Sequence, residues 1–352
     1  MTRSSKANRP SPALVTDPEE RESLVCNLFC QGKSVQEILD ELRDRVPMTR
    51  ERPYAIVRHA ARQGRLSYTP PHESGLALEI METYRLEKVR VVKTAESSDV
   101  AGQAARMLSE MIRKWPQPDL HIGFAGGGLL QETVRLLAES LRRPGPAPRN
   151  IFFHALIAAA HDPMNSPNAF LHWFLGHGFT FKPHFIGLPA PGFVSTPTLR
   201  KLRQLEGIKE AFDRAGELDI VVTSAGAHWK NGCSALHQMY RDRASADVMK
   251  LLEQAGVVGD IIWQPLSAQT GPIRLETGVR AVTLIDLDRL PSLIANKKSV
   301  VLVLGPCGTC HRPKSEILSA ILNWKEPLIT HLVTDTRTAH GVCGIERPAK
   351  RD

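Results

Sequence analysis

Leu120-His121-Ile122-Gly123-Phe124-Ala125-Gly126-Gly127-Gly128 is the stretch on which the reading of this chain turns. A short apolar run of strand length meets three glycines. Leu130, Val134, Leu137 and Leu141 then recur at the spacing of one helix face. A strand that turns on glycine straight into a helix is the opening half of a βαβ unit. Three glycines let backbone N–H groups converge at a helix N-terminus, a geometry that attracts phosphate. The need for glycine in a tight strand-to-helix turn explains the triplet equally well. The pattern is not G-x-G-x-x-G, and no Lys-Ser/Thr follows, so neither a dinucleotide nor ATP is expected, nor any other cofactor.

Outward from this unit the pattern repeats. Lys88–Val92, Ile151–Ile157, Ile220–Ser224, Val300–Leu304 and Leu328–Thr334 read as further strands, and Ala77–Tyr84 and Val100–Ile112 as helices. Apolar runs alternating with helices predict an α/β body, a Rossmann-like, mostly parallel sheet with helices on both faces. Ligands bind beyond the C-terminal ends of such strands. The candidate ligand-binding residues there are Gly126, Gly127, Gly128, Ser224, Asp260 and Lys314. Asp260 follows Gly259, where a carboxylate accepts sugar hydroxyls or caps a turn. Lys314 opens a predicted helix over Ser315–Asn323. An ammonium there opposes the helix dipole, so an anionic partner explains it better, although exposure is the commoner fate of lysine. Asp335 is a predicted N-cap. His161-Asp162 is a candidate acid/base pair in a loop.

The front of the chain is different. Residues 1–16 are polar and Pro-rich and are expected to be disordered. Glu19–Cys30 reads as a helix with Leu24, Val25 and Leu28 inward. Ser34 and Glu37 form a capping box that opens a second helix with Val35, Ile38, Leu39 and Leu42 on one stripe. Thr49 is the expected cap of a third helix, with Pro53 in its first turn and Tyr54, Val57 and Ala61 inward. Arg65–Thr69 is a short extended stretch. Three helices and a strand are the order of a winged helix-turn-helix, spanning 17–71, ahead of a body over 72–346. From Arg43 to Arg65 seven arginines stand against two acids, Asp44 and Glu51. Arg50, Arg52, His59 and Arg62 lie off the apolar stripe and are the candidate DNA contacts; arginine pairs bidentately with phosphate or guanine. The competing reading is a solvated helix face.

At 352 residues with a formal net charge of +8, the chain suits about two domains and an acidic partner. No apolar run reaches the roughly 20 residues of a membrane helix, and no signal-peptide core opens the chain, so a cytoplasmic protein is expected. The six cysteines are expected to be free thiols there. Cys307-Gly308-Thr309-Cys310-His311 spells the c-type haem attachment motif, but haem attachment normally follows export. A zinc set completed by His340 and Cys343 has the spacing of no ribbon or finger. A Gly/Cys loop after a strand is the simpler reading, and no metal is expected.

The order of these pieces resembles the SorC family of bacterial sugar-responsive transcription regulators, from about Glu20 to Val342. The resemblance rests on Ala60-Ala61-Arg62-Gln63-Gly64-Arg65-Leu66, Gly123–Gly127, Leu188-Pro189-Ala190-Pro191-Gly192-Phe193-Val194 and Asp219–Val222. It continues through Gly256–Ile261, Lys314–Leu322 and Leu332–Ala339. It implies a body related to phosphosugar isomerases and coenzyme A transferases, a phosphorylated sugar as effector, and a homotetramer with effector-controlled affinity for operator DNA. Carried over by position, Gly126, Gly127 and Gly128 hold the phosphate with Lys314, and Asp260 lies near the sugar. The chain departs from the family at Leu129, where a threonine is usual, at Ala158-Ala159-Ala160, a glycine-rich place in the family, and at Pro306, Cys307, Cys310 and His311. Two alternatives stand beside a regulator. One is a sugar-phosphate isomerase or deaminase using Asp162, Asp260, His161 or His311. The other is a scaffold that has lost sensing.

Overall fold

The computed structural model describes residues 14–66, 69–158, 163–176, 178–227, 232–273 and 278–343. Most of the expected tail, Ser67-Tyr68 of the expected wing, Ala159-Ala160 and the His161-Asp162 pair lie outside these residues. The chain divides into two compact units, residues 1–69 and 70–352.

The front unit holds α1 (Pro18–Cys30), α2 (Val35–Leu42) and α3 (Arg52–Arg62). Asp17 caps α1, its side chain accepting from the Glu19 and Glu20 amides. The capping box of α2 forms as expected: Ser34 Oγ accepts from Glu37 N, and the Glu37 carboxylate accepts from Ser34 N at 2.8 Å. Val25, Leu28, Ile38, Leu42, Ile56 and Ala60 close a small core. Two expectations for α3 fail. Thr49 is not its cap; Glu51 takes that position without a side-chain bond. Its inward row is Pro53, Ile56 and Ala60, whereas Tyr54 is 57% exposed and Ala61 faces solvent. The spacing was right and the phase wrong by one residue, because the proline in the first turn is itself packed inside. Leu66 ends the described stretch in a bend, not a strand.

In the body, the strands are β1 (Lys88–Val92), β2 (Asp119–Phe124), β3 (Asn150–Ala155), β4 (Lys182–Ile186), β5 (Phe193–Ser195), β6 (Ile220–Thr223) and β7 (Ala225–Ala227). They continue with β8 (Val257–Ile261), β9 (Gln264–Ser267), β10 (Gly271–Pro272), β11 (Val279–Ala281), β12 (Ser299–Leu304) and β13 (His331–Asp335). A seven-stranded sheet runs in the order β1-β13-β12-β6-β2-β3-β4 with every pairing parallel. Its central strands β6, β12 and β13 are almost wholly buried, as helix-flanked parallel strands must be. Among the flanking helices, α4 (Ser74–Tyr84), α5 (Ser97–Arg113) and α6 (Gly128–Arg142) stand early in the body. α6 buries the expected Leu130, Val134, Leu137 and Leu141 against the core. The chain leaves β2 toward β3 on one side, while β6 leads toward β12 on the other. β2 and β6 are neighbours, so the crevice beyond their C-terminal ends is the switch point where ligands bind.

A second, four-stranded antiparallel sheet, β10-β9-β8-β7, was not foreseen. It corrects the reading of Asp260, which caps no turn and ends no strand but lies inside β8, paired across to Gly226 of β7.

Candidate functional site

The six candidate residues Gly126, Gly127, Gly128, Ser224, Asp260 and Lys314 line one cavity of about 450 Å³, within the usual range for small ligands. Each arrives for a local reason. Gly126 is buried where a Cβ would stand 2.6 Å from Ile157 Cδ1 and 2.7 Å from the Asn165 carbonyl oxygen, so no side chain fits. Gly127 has φ +118°, open only to glycine at low cost, and caps α6. Its own N–H donates to the Asn165 carbonyl at 2.9 Å. The amides of the first helical turn that follows have no partners within the helix and carry its positive dipole end. Ser224 follows β6, its Oγ 3.7 Å from where a Gly127 Cβ would be.

Across the cavity, Asp260 is 5% exposed. Ser234 Oγ donates to its Oδ2 at 2.7 Å. Burial pushes its pKa up to about 6, against the lowering pull of that hydrogen bond, the Lys314 ammonium and the Gly226 amide. Gly226 must be glycine, because a Cβ would run into the Asp260 carboxylate. Lys314 precedes the helix Ser315–Leu322 and does not hang in solvent. Its Nζ donates to the Ala225 carbonyl at 2.8 Å, and its backbone N–H to Thr338 Oγ1 at 3.1 Å. Asp335 holds Thr338 in turn, as the N-cap expected of it. Burial draws the Lys314 pKa below the ordinary lysine value, opposed by Cys307, Asp260 and Asp335. Among the described lining residues Lys314 is the one cation, and Asp260 and Glu132 bring carboxylates.

Sequence reasoning missed part of the wall. Ser97 and Ser98 enter from the start of α5. Ile262 and Trp263 come from the β8–β9 turn, both with positive φ (48° and 56°). A two-residue turn of that shape is usually announced by Asn-Gly, and nothing in Ile-Trp signals it. Trp263 packs on Phe193 with ring centroids 5.9 Å apart. Leu129, standing where the family carries threonine, lines the cavity and packs against the core. Of the two enzyme candidates among the described residues, Asp260 lines the cavity and His311 is exposed in the loop after β12. His340 and Cys343, the residues weighed for a set with Cys307 and Cys310, do not join them, whereas Cys233 does.

In the front unit Arg50, Arg52, His59 and Arg62 are all exposed. They do not share one setting. Arg52 and His59 flank a surface pocket with Glu19 and Glu22 of α1, and His59 Nε2 is 3.9 Å from Glu22. Arg65 is bound to Glu22 at 2.5 Å. Tyr54, Arg58 and Arg62 recur at four-residue spacing on the opposite, open face. Tyr54 was expected inside, and the phase error hid this row.

Residues 70–343 match the family model described as "Putative sugar-binding domain". No curated protein sequence matches. Among solved structures, the full-length sorbitol operon regulator SorC from Klebsiella pneumoniae is 16% identical, covering 93% of this chain and 99% of its own, with a TM-score of 0.62. A DeoR family transcriptional regulator from Listeria monocytogenes is 21% identical over 76% of this chain and 98% of its own, at a TM-score of 0.57. The probable sor operon regulator from Shigella flexneri is 15% identical with the same coverage and TM-score. The model match over most of the chain, and a fold shared with these regulators, identify the protein as a member of the sugar-binding-domain family with the SorC-type architecture.

Proposed function

We propose that the chain is a DNA-binding transcription regulator whose body senses a small phosphorylated sugar. The observation that carries this reading is the convergence of all six candidate residues on one cavity at the switch point of the sheet. The first-turn amides of α6 and the Lys314 ammonium supply the attraction for a phosphate. Asp260 and Ser224 supply partners for hydroxyls. Trp263 offers an apolar wall for the C–H face of the ring. The front unit presents Tyr54, Arg58 and Arg62 to the major groove, with Arg50 and Arg52 on its flanks. Solved proteins of this fold named as operon regulators support regulation over catalysis. No helix among the described residues is long and apolar enough to cross a membrane, which suits a cytoplasmic regulator. The family resemblance favours a homotetramer and needs no cofactor. The effector changes DNA affinity only through its different affinities for two conformations.

The test pairs two measurements on the full chain. Mobility shifts on DNA from the gene's own upstream region should appear at low salt and change with phosphosugar. Thermal shifts with a panel of sugar phosphates should be abolished by Lys314→Ala. Absence of any DNA shift at low salt defeats the regulator, and an unchanged ligand shift in the variant removes Lys314 from the site.

A further inference from the structure

We propose that Cys233, Cys307 and Cys310 form a three-thiolate site for a thiophilic divalent metal ion, zinc by class, beside the cavity. The three Sγ atoms all lie within 4.8 Å of one another. Three thiolates around one zinc, each at ≈ 2.3 Å, stand ~4 Å apart, so occupation needs a contraction of less than about 1 Å. Soft thiolates select such ions.

The loop is shaped to hold them. Cys307 is 5% exposed, and its amide donates to the Arg312 carbonyl at 3.0 Å while its carbonyl accepts from His311 N at 2.9 Å. That folds Cys310 back over Cys307. Cys233 comes from far upstream and is fixed by its neighbour Ser234, which caps the helix Ala235–Arg243 and holds Asp260. A Cys-x-x-Cys pair alone would read as a dithiol. A disulfide joins two sulfurs and strands the third, whereas a metal takes all three. Among the described residues three ligands gather, leaving one tetrahedral position for a further ligand, the arrangement of zinc sites that meet an outside ligand. Pro306 and Gly308 of the same loop line the cavity, and Ser234 links Cys233 to Asp260. Occupation would therefore tie together the loop that leads to Lys314 and the segment whose Ser234 holds Asp260. The inference does not rest on the effector reading, because its readout is the metal.

The test is a cobalt titration of full-length protein purified under reductant and stripped with chelator. The expected result is one equivalent bound per chain, with a near-ultraviolet thiolate-to-cobalt charge-transfer band of three-thiolate intensity that zinc abolishes. Cys233→Ser and Cys310→Ser should each weaken binding by at least ~10-fold. A Cys26→Ser/Cys30→Ser/Cys343→Ser triple variant should bind as wild type. The band in wild-type protein is itself a test should a single variant fail to fold. No band, a band of unchanged intensity and affinity in folded Cys233→Ser, or mild oxidation linking Cys307 to Cys310 in protein that binds no cobalt would overturn the proposal.

Discussion

Replacing Asp260 with asparagine should flatten the pH dependence of the body's stability. An ordinary aspartate ionises near pH 4. Asp260 in the folded chain holds its proton to about pH 6, because burial outweighs Ser234, Lys314 and the Gly226 amide. Between these values the folded state binds more protons than the unfolded one, so this group's contribution falls as pH rises and levels off above about pH 7. At ~1.4 kcal/mol per pH unit, a gap of about two units amounts to ~3 kcal/mol in all. About half of that lies between pH 5 and pH 8, because the unfolded carboxyl is already ionised at pH 5. The asparagine keeps the shape and an acceptor for Ser234 Oγ but does not titrate. At ~2 °C per kcal/mol for a body of this size, wild type should lose about 3 °C more than the variant between pH 5 and pH 8. All five tryptophans lie beyond residue 70, so their fluorescence reports the body alone. Every other titrating group is common to both proteins and cancels. Parallel melting curves against pH would refute the reasoning, and with it the idea that Asp260 forms a dry wall of the cavity.

Gly126→Val should destabilise the body by ~1–3 kcal/mol through overpacking against Ile157 and the Asn165 carbonyl, read as a lower melting temperature. Leu129→Thr restores the hydroxyl usual in the family and should tighten phosphosugar binding by up to about tenfold, the worth of one hydrogen bond, in calorimetric titration. Arg62→Ala and Arg58→Ala should each weaken DNA binding across sequences and reduce the salt slope by about one if they meet phosphate, measured by anisotropy over a salt series. Arg65→Ala should leave that slope nearly unchanged, since Arg65 is already bound to Glu22.

The middle of the central sheet was legible because its strands are buried on both faces. Leu120–Ala125, Ile220–Ser224 and Val300–Leu304 could be found as short, mostly apolar runs, and the glycine triplet marked where the first one turns. β4 was not, because Lys182-Pro183-His184-Phe185-Ile186 is an edge strand with mixed burial. Helix α3 was placed but rotated. Spacing alone gives a row of inward residues, not its starting point, and an aromatic looked a better core residue than Pro53. That one-residue shift moved Tyr54 from the core to the face beside Arg58 and Arg62. A charge count cannot correct such an error; only a packed partner helix does.

The cavity was half legible for a related reason. Gly126, Gly127, Gly128, Ser224 and Lys314 stand at chain turns after parallel strands, where a general rule about α/β sheets applies. Asp260 was chosen by the same rule and is in the site for another reason: it faces Gly226 across an antiparallel ladder the apolar pattern did not reveal. That ladder also carries the Ile262-Trp263 turn, whose conformation its residues disfavour. Both residues line the cavity, and strain of that kind persists where surrounding structure holds it. The cysteines show the limit most directly. His340 and Cys343 lie close enough in sequence to suggest a set with Cys307 and Cys310. Cys233 joins them because the chain after β7 and the chain after β12 come together beyond the sheet, and proximity of that kind belongs to topology. Residues gathered by topology and not by motif are those a sequence scan overlooks, and here they sit beside two of the cavity's charged side chains, Asp260 and Lys314.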